Sequence, residues 1–247
     1  MAGAVTQSRR DDLAANLARL EARIAAACRA AGRARDDITV IAVTKTYPAA
    51  DIVALGELGL TDFGENRAQE AARKVAEVAE LRADVAGVPG VPRWHFIGAL
   101  QTNKCRSVVG YADVVHSVDR AALVGPLGRA ASEAKRVVDC LVQADLDPRP
   151  RPERAGAAPA EVAELADLVA ATPGLRLAGV MTVAPLGGDP AHAFGELARL
   201  ADDVRARHPQ ARVISAGMSG DFEIAIANGA THLRVGAALL GSRPHPG

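Results

Sequence analysis

The stretch RVISAGMSGDFEIAIANGATHLRVG, Arg212–Gly236, decides the fold. A short apolar run (Arg212–Ile214) leads into a turn of small residues. An Ala/Ile-rich helical pattern follows over Ser219–Asn228, and a second short run closes the unit at His232–Val235. Strand, helix and strand within about 25 residues is a βαβ unit, whose two strands lie parallel. Outward from it the pattern recurs. Short runs stand at Thr39–Val43, Thr61–Phe63, Trp94–Ile97, Asp113–His116, Val137–Ala144 and Leu177–Thr182. Helical patterns separate them at Ala49–Leu58, Arg67–Leu81, Thr102–Val109, Arg120–Lys135, Pro159–Ala171 and Pro190–His208. Eight strands alternating with helices is the number that closes a barrel. An open doubly wound sheet would carry a Gly-rich fingerprint after its first strand, and Ile41-Ala-Val-Thr-Lys45 has none. The reading is α/β: a single (β/α)8 TIM-type barrel over residues 1–247.

Before the first strand, residues 8–31 read as an extra N-terminal helix. Leu13, Leu17, Leu20 and Ile24 share one face, Ser8 and Asp11 resemble a capping box, and Gly32 can end the helix. One low-complexity stretch, 147–160, carries Pro148, Pro150, Pro152 and Pro159 among arginines and reads as a mobile loop.

Composition narrows the function. The 29 basic side chains balance 29 acidic ones, and 3% of residues are aromatic, which speaks against nucleic acid as a partner. No apolar run approaches the roughly 20 residues of a membrane span. Three scattered cysteines, Cys28, Cys105 and Cys140, form neither a disulfide framework nor a zinc motif, as expected in a reducing cytoplasm. No His/Asp/Glu spacing supports a metal site.

In such barrels function sits at the carboxyl ends of the strands. There the sequence places Lys45, Asn66, His95, Ser117, Asp145, Met181, Thr182, Ser219, Gly220, Arg234 and Gly236. Lys45 directly follows Ile-Ala-Val-Thr and is one of four lysines among the 29 basic residues. An amine at the edge of a dry core can form a Schiff base with a carbonyl, although such a lysine can equally snorkel or pair with an acid. Gly217-Met-Ser-Gly-Asp221 and Arg234-Val-Gly-Ala237 are turns of small residues after strands seven and eight, where these barrels bind phosphate; ordinary helix capping is the alternative. Arg234 could contact a phosphate or a ring nitrogen, or pair with Asp221 or Glu223. An amine, a phosphate cup and an arginine that keeps its proton together suggest pyridoxal 5′-phosphate (PLP). His95 reads as a packed histidine bonded to backbone, and Met181 as packing against a ring or the core.

Several segments resemble one family: AVTKTYP (Ala42–Pro48), FGENRAQE (Phe63–Glu70), WHFIGALQTNK (Trp94–Lys104), HSVD (His116–Asp119), GVMTV (Gly179–Val183), the run Ala216–Gly236, and LLGSR (Leu239–Arg243). They resemble the pyridoxal phosphate homeostasis proteins, related in fold to the N-terminal domain of alanine racemase. The resemblance implies that Lys45 holds PLP as an internal aldimine. It implies further that Ser219 and Gly220 bind the phosphate opposite Gly236 and Ala237, that Arg234 faces the pyridine nitrogen, and that Asn66 lines the cofactor face. It also implies a cytoplasmic, monomeric carrier of PLP, with PLP-dependent apoenzymes as partners and no enzymatic turnover. Three positions depart from the family pattern: Ala99 where His is common, Asp145 where Asn is common, and Ala237 where Thr is common. The loop after strand five usually carries a lysine near Arg154. Two other readings compete, an amino-acid racemase and a cofactor-free Schiff-base aldolase. A racemase of this fold draws its second base, a tyrosine, from another domain, whereas Tyr47 and Tyr111 sit in early loops.

Overall fold

The computed structural model describes residues 5–83, 90–149 and 154–241. Its eight strands are β1 (Thr39–Val43), β2 (Asp62–Glu65), β3 (Arg93–Phe96), β4 (Val114–Val118), β5 (Val138–Gln143), β6 (Leu175–Met181), β7 (Val213–Ser215) and β8 (His232–Val235). They close into a barrel in sequence order, and each pairs parallel with its neighbours. The expected TIM-type barrel is what the chain forms. β1 and β8 begin and end where the sequence places them, and the ends of the other strands shift by one or two residues.

Helices α1 (Gln7–Ala30), α2 (Ala49–Glu57), α3 (Ala68–Ala83), α4 (Cys105–Val109), α5 (Ala121–Glu133), α6 (Val162–Ala171), α7 (Pro190–Arg207), α8 (Phe222–Ala227) and α9 (Ala237–Leu240) cover the barrel. The N-cap of α1 is Thr6, whose hydroxyl accepts from Arg9 N, and not Ser8 as the sequence suggested. Leu13, Leu20, Ile24 and Cys28 bury the inner face of α1. Asn16 Nδ2 donates to Leu239 O at 2.9 Å, and Arg23 pairs with Glu223, so α1 is tied to the segments after β7 and β8.

Strand alternation divides the interior in two. Val40, Ala42, Phe63, Trp94, Phe96, Cys140 and Leu233 face outward into the main apolar layer beneath the helices. The opposite faces meet in the bore, where Val114, Leu141 and Met181 form a small apolar cluster. Much of the rest of the bore is polar. At its lower end Asp139 accepts from Arg93 and Arg176 at 2.7 and 2.5 Å. The 147–160 stretch is tied down where it is described: Ala157 bridges to Ala144, and Gln143 Nε2 donates to Ala155 O at 2.8 Å. Residues 150–153 of the expected mobile loop lie outside the described residues.

Candidate functional site

Lys45 stands two residues beyond β1. Val40 and Ala42 belong to the outer layer, so alternation turns Ile41, Val43 and Lys45 toward the bore. Lys45 is half-buried there. On one side β1 pairs with β8, with Ile41 opposite Arg234 and Ala42 opposite Val235. The Arg234–Ala237 turn therefore adjoins the strand that carries the lysine.

The turns after β7 and β8 form one structure. Ala238 N donates to Ser219 Oγ at 3.2 Å across them. Met218 N donates to Asp221 Oδ1 at 2.6 Å, and Asp221 N and Phe222 N both donate to Met218 O. Among the described residues, the amides of Ser219, Gly220 and Ala237 meet no acceptor. Gly217 has φ of 90°, and a Cβ there would lie 2.9 Å from Phe222 Cα, so the turn requires glycine. Helix α8 starts at Phe222, which leaves Ser219 and Gly220 in the turn and not on the helix. Half-buried Ser219 and Gly236 with exposed Gly220 and Ala237 thus present backbone donors at the barrel mouth. Backbone amides in such a concavity suit a phosphate.

Arg234 is 4% exposed and has no carboxylate partner among the described residues. Asp221 accepts from Met218 N and Glu223 pairs with Arg23, so neither forms an ion pair with it, although the Asp221 charge acts on Arg234 against the effect of burial. Its Nη1 donates to Ser215 Oγ and its Nη2 to Thr182 O, each at 2.7 Å. Burial draws its pKa down to about 10.

Behind Ser215 runs a chain of buried side chains. Ser215 Oγ lies 3.0 Å from His116 Nδ1, His116 Nε2 lies 2.9 Å from His95 Nδ1, and His95 Nε2 lies 2.8 Å from Asp62 Oδ1. Burial pushes the pKa of both histidines down, His116 well below the usual range, and that of His232 to about 4. Burial alone would raise the Asp62 pKa, but hydrogen bonds from His95 and Thr61 outweigh it and hold the carboxyl below its usual value. With two neutral imidazoles ending on an acceptor-only carboxylate, one proton order satisfies every bond. His95 carries its proton on Nε2, His116 likewise, and the Ser215 hydroxyl donates to His116 while accepting from Arg234.

The remaining expected residues divide. Met181 is buried in the bore cluster with Val114 and Leu141. Asn66 lines a cavity of 420 Å³ together with Arg67, Glu70 and Lys104, on the β2–β3 side of the mouth. None of the other expected site residues lines it. Gly98 packs against Asn66 so closely that a Cβ would come within 2.1 Å of Asn66 O. Asp145 accepts from Arg154 Nε at 2.5 Å, so the carboxylate that replaces the usual amide is neutralised by the arginine of the same loop.

Sequence reading missed the polar chain. His95 is bonded to Asp62 and His116 side chains, not to backbone, and lies within β3 inside the bore. The signal was alternation: in RWHF and VVHSV the histidines occupy inward positions. Glu65, Glu70 and Lys74, behind Lys45, were also missed. Lys74 Nζ donates to Glu65 Oε1 at 2.7 Å and to Thr44 O at 2.8 Å, so its amine is engaged.

Known proteins are similar to this chain in sequence and fold. The sequence model of the family described as alanine racemase, N-terminal domain, matches residues 15–244. A pyridoxal phosphate homeostasis protein of Mycobacterium leprae is 39% identical over 242 residues, covering 94% of this chain and 93% of the relative. The chain belongs to the pyridoxal phosphate homeostasis protein family. Its relative in Escherichia coli K12, of the same name, is 35% identical over 95% of this chain and 98% of its own. Among solved structures, PipY of Synechococcus elongatus PCC7942 with PLP bound superposes with a TM-score of 0.78 at 33% identity, covering 93% of this chain and 100% of PipY.

Proposed function

We propose that this protein binds PLP at the carboxyl mouth of its barrel and serves as a PLP carrier and reserve. The observation that carries the reading is Arg234, a buried cation that forms no ion pair among the described residues, beside a lysine and two turns whose amides meet no acceptor among them. A buried charge left unpaired is costly unless a ligand answers it. The donor set fits PLP. Amides of Ser219, Gly220 and Ala237 suit the phosphate, the guanidinium of Arg234 suits a ring nitrogen that accepts, and the amine of Lys45 suits the aldehyde. Bound PLP supplies an aldehyde that joins reversibly to amines and a ring that withdraws electrons. Met181 closes the bore beneath the site, while Asn66 is the weakest member of the set because it lines a separate cavity.

The carrier reading also rests on what the residues do with protons. Arginine does not release its proton at ordinary pH, so a ring nitrogen facing Arg234 stays an acceptor and the ring a weaker electron sink. Tyr47 donates its hydroxyl to Gly241 O at 2.7 Å, and Tyr111 lies in the outer apolar layer, so neither is a base over the site. The close relatives are named for homeostasis and not for a reaction. The reading extends to a cytoplasmic monomer that passes PLP to apoenzymes. Three buried free thiols fit its cytoplasmic part, since a reducing compartment keeps thiols unpaired.

The test is direct. Purified protein incubated with PLP is reduced with borohydride and digested, and mass spectrometry locates the pyridoxyl group. It is expected on Lys45, and Lys45→Ala should lose the visible absorption of bound PLP while folding normally. Labelling at Lys74, Lys104 or Lys135 would overturn the assignment.

A further inference from the structure

Both peptide planes that flank Lys45 are held by side chains from β2 and α3. On the amino side, Thr44 O accepts from Lys74 Nζ at 2.8 Å, while Thr44 Oγ1 donates to Glu65 Oε1 at 2.7 Å. Thr44 N donates to Gly64 O at 3.0 Å. On the carboxyl side, Thr46 N donates to Glu70 Oε1 at 3.1 Å. Lys74 Nζ ties the two anchors together, 2.7 Å from Glu65 Oε1 and 3.4 Å from Glu70 Oε1. Thr46 has φ of 70°, a left-handed conformation that a β-branched residue adopts only when its surroundings impose it. Thr44, Glu65 and Lys74 are 0%, 1% and 6% exposed.

The two peptide planes on either side of a Cα set its φ and ψ, and hence the direction of its Cβ. From this geometry we infer that Glu65, Lys74 and Glu70 are positioning residues for the Lys45 amine, acting through Thr44 and Thr46. A buried ion pair is a poor source of stability, so stability alone gives little reason to bury Glu65 and Lys74. Fixing the direction of one side chain is a reason that fits the contacts. The triad is not a second reactive lysine: Lys74 Nζ donates to Glu65, Thr44 and Glu70 and is engaged. Attachment of PLP joins the Lys45 nitrogen to the aldehyde carbon with loss of one water, and its rate depends on where that nitrogen is held.

This inference rests on Lys45 being the PLP lysine, and the experiment separates the two. The full-length protein and two variants are compared, Glu70→Ala and the double change Glu65→Leu/Lys74→Met, which exchanges the buried pair for apolar side chains. Stopped-flow absorbance gives the rate of PLP attachment. Titration with 4′-deoxypyridoxine 5′-phosphate, which keeps ring and phosphate but lacks the aldehyde, gives non-covalent affinity. Attachment should slow by roughly ten- to hundredfold in both variants, with affinity for the aldehyde-free analogue unchanged. Glu70→Gln, which retains an acceptor for Thr46 N, should restore most of the rate. If the double variant fails to fold, Glu70→Ala alone decides. Attachment at the wild-type rate in Glu70→Ala, or parallel weakening of attachment and analogue binding, overturns the inference. A wild-type protein that attaches no PLP at Lys45 overturns the functional reading instead.

Discussion

Arg234→Met offers the sharpest separation of a ligand-binding arginine from a structural one. Burial draws the Arg234 pKa to about 10. Against the higher ordinary value of arginine, and at about 1.4 kcal/mol per pH unit, holding this charge costs the folded protein roughly 3 kcal/mol. Methionine removes that cost. It also removes the bonds to Ser215 Oγ and Thr182 O. Stranding those two acceptors costs about 1–3 kcal/mol each. The net expectation is a ligand-free variant between about 1 kcal/mol more stable and about 3 kcal/mol less stable than the wild type; at about 2–4 °C per kcal/mol this lies within reach of calorimetry. The pH dependence supplies a second arm. The folded chain releases the Arg234 proton above about pH 10. The unfolded chain keeps it to the higher ordinary arginine value, so between the two the unfolded state binds more protons. Wild-type stability should therefore rise relative to the variant as pH climbs through 10, and the difference should be flat at neutral pH. With PLP present the wild type gains a further advantage. A ligand at 100 times its Kd stabilises by about 2.7 kcal/mol, which the wild type should gain and the variant largely lose. A ligand-free variant destabilised by more than about 3 kcal/mol would show that Arg234 is a strut, and would refute the reasoning.

Ser219→Ala should weaken retention of PLP but not of pyridoxal, since its turn addresses the phosphate; one charge-assisted hydrogen bond is worth about 1.5–3 kcal/mol, roughly ten- to hundredfold in affinity. Equal weakening of both ligands would place the phosphate elsewhere. Nitrogen-15 NMR should find His95 and His116 neutral at pH 7, both protonated on Nε2, and a proton on either Nδ1 would contradict the chain that ends on Asp62. In heavy water with PLP bound, L- and D-alanine should keep their α-protons by proton NMR. Rapid exchange with inversion would convert the carrier into a racemase.

The barrel was legible because each βα unit writes its own period, short apolar runs against Ala-rich helical stretches, and eight of them leave few topologies. Boundaries were less legible where capping decides them. Helix α8 begins at Phe222 and not Ser219 because Asp221 binds Met218 N and closes the preceding turn. Helix α9, Ala237–Leu240, is too short to show a helical period at all. Lys45 and the two small-residue turns could be read because strand ends in this fold collect function. The bore could not, since its bonds join residues far apart in sequence: His116 to Ser215 spans 99 positions and Asp62 to His95 spans 33. What the sequence did hold was parity, which places Asp62, His95, His116, Ser215 and Arg234 all on inward positions of their strands.

That parity bears on why this site would keep a cofactor and not use it. Catalysis on a PLP ring gains from a ring nitrogen that can be protonated and from groups free to move protons. Here the buried histidines are neutral and bonded at both nitrogens, with their protons ordered toward Asp62. The chain ends on an arginine that neither accepts nor readily gives up a proton. Such a bore orients and does not exchange. The protein accepts the cost of a buried cation, and the state that best answers that cost is the one with an acceptor lodged against Arg234. The same arrangement that leaves the ring a weak electron sink therefore favours occupancy over release.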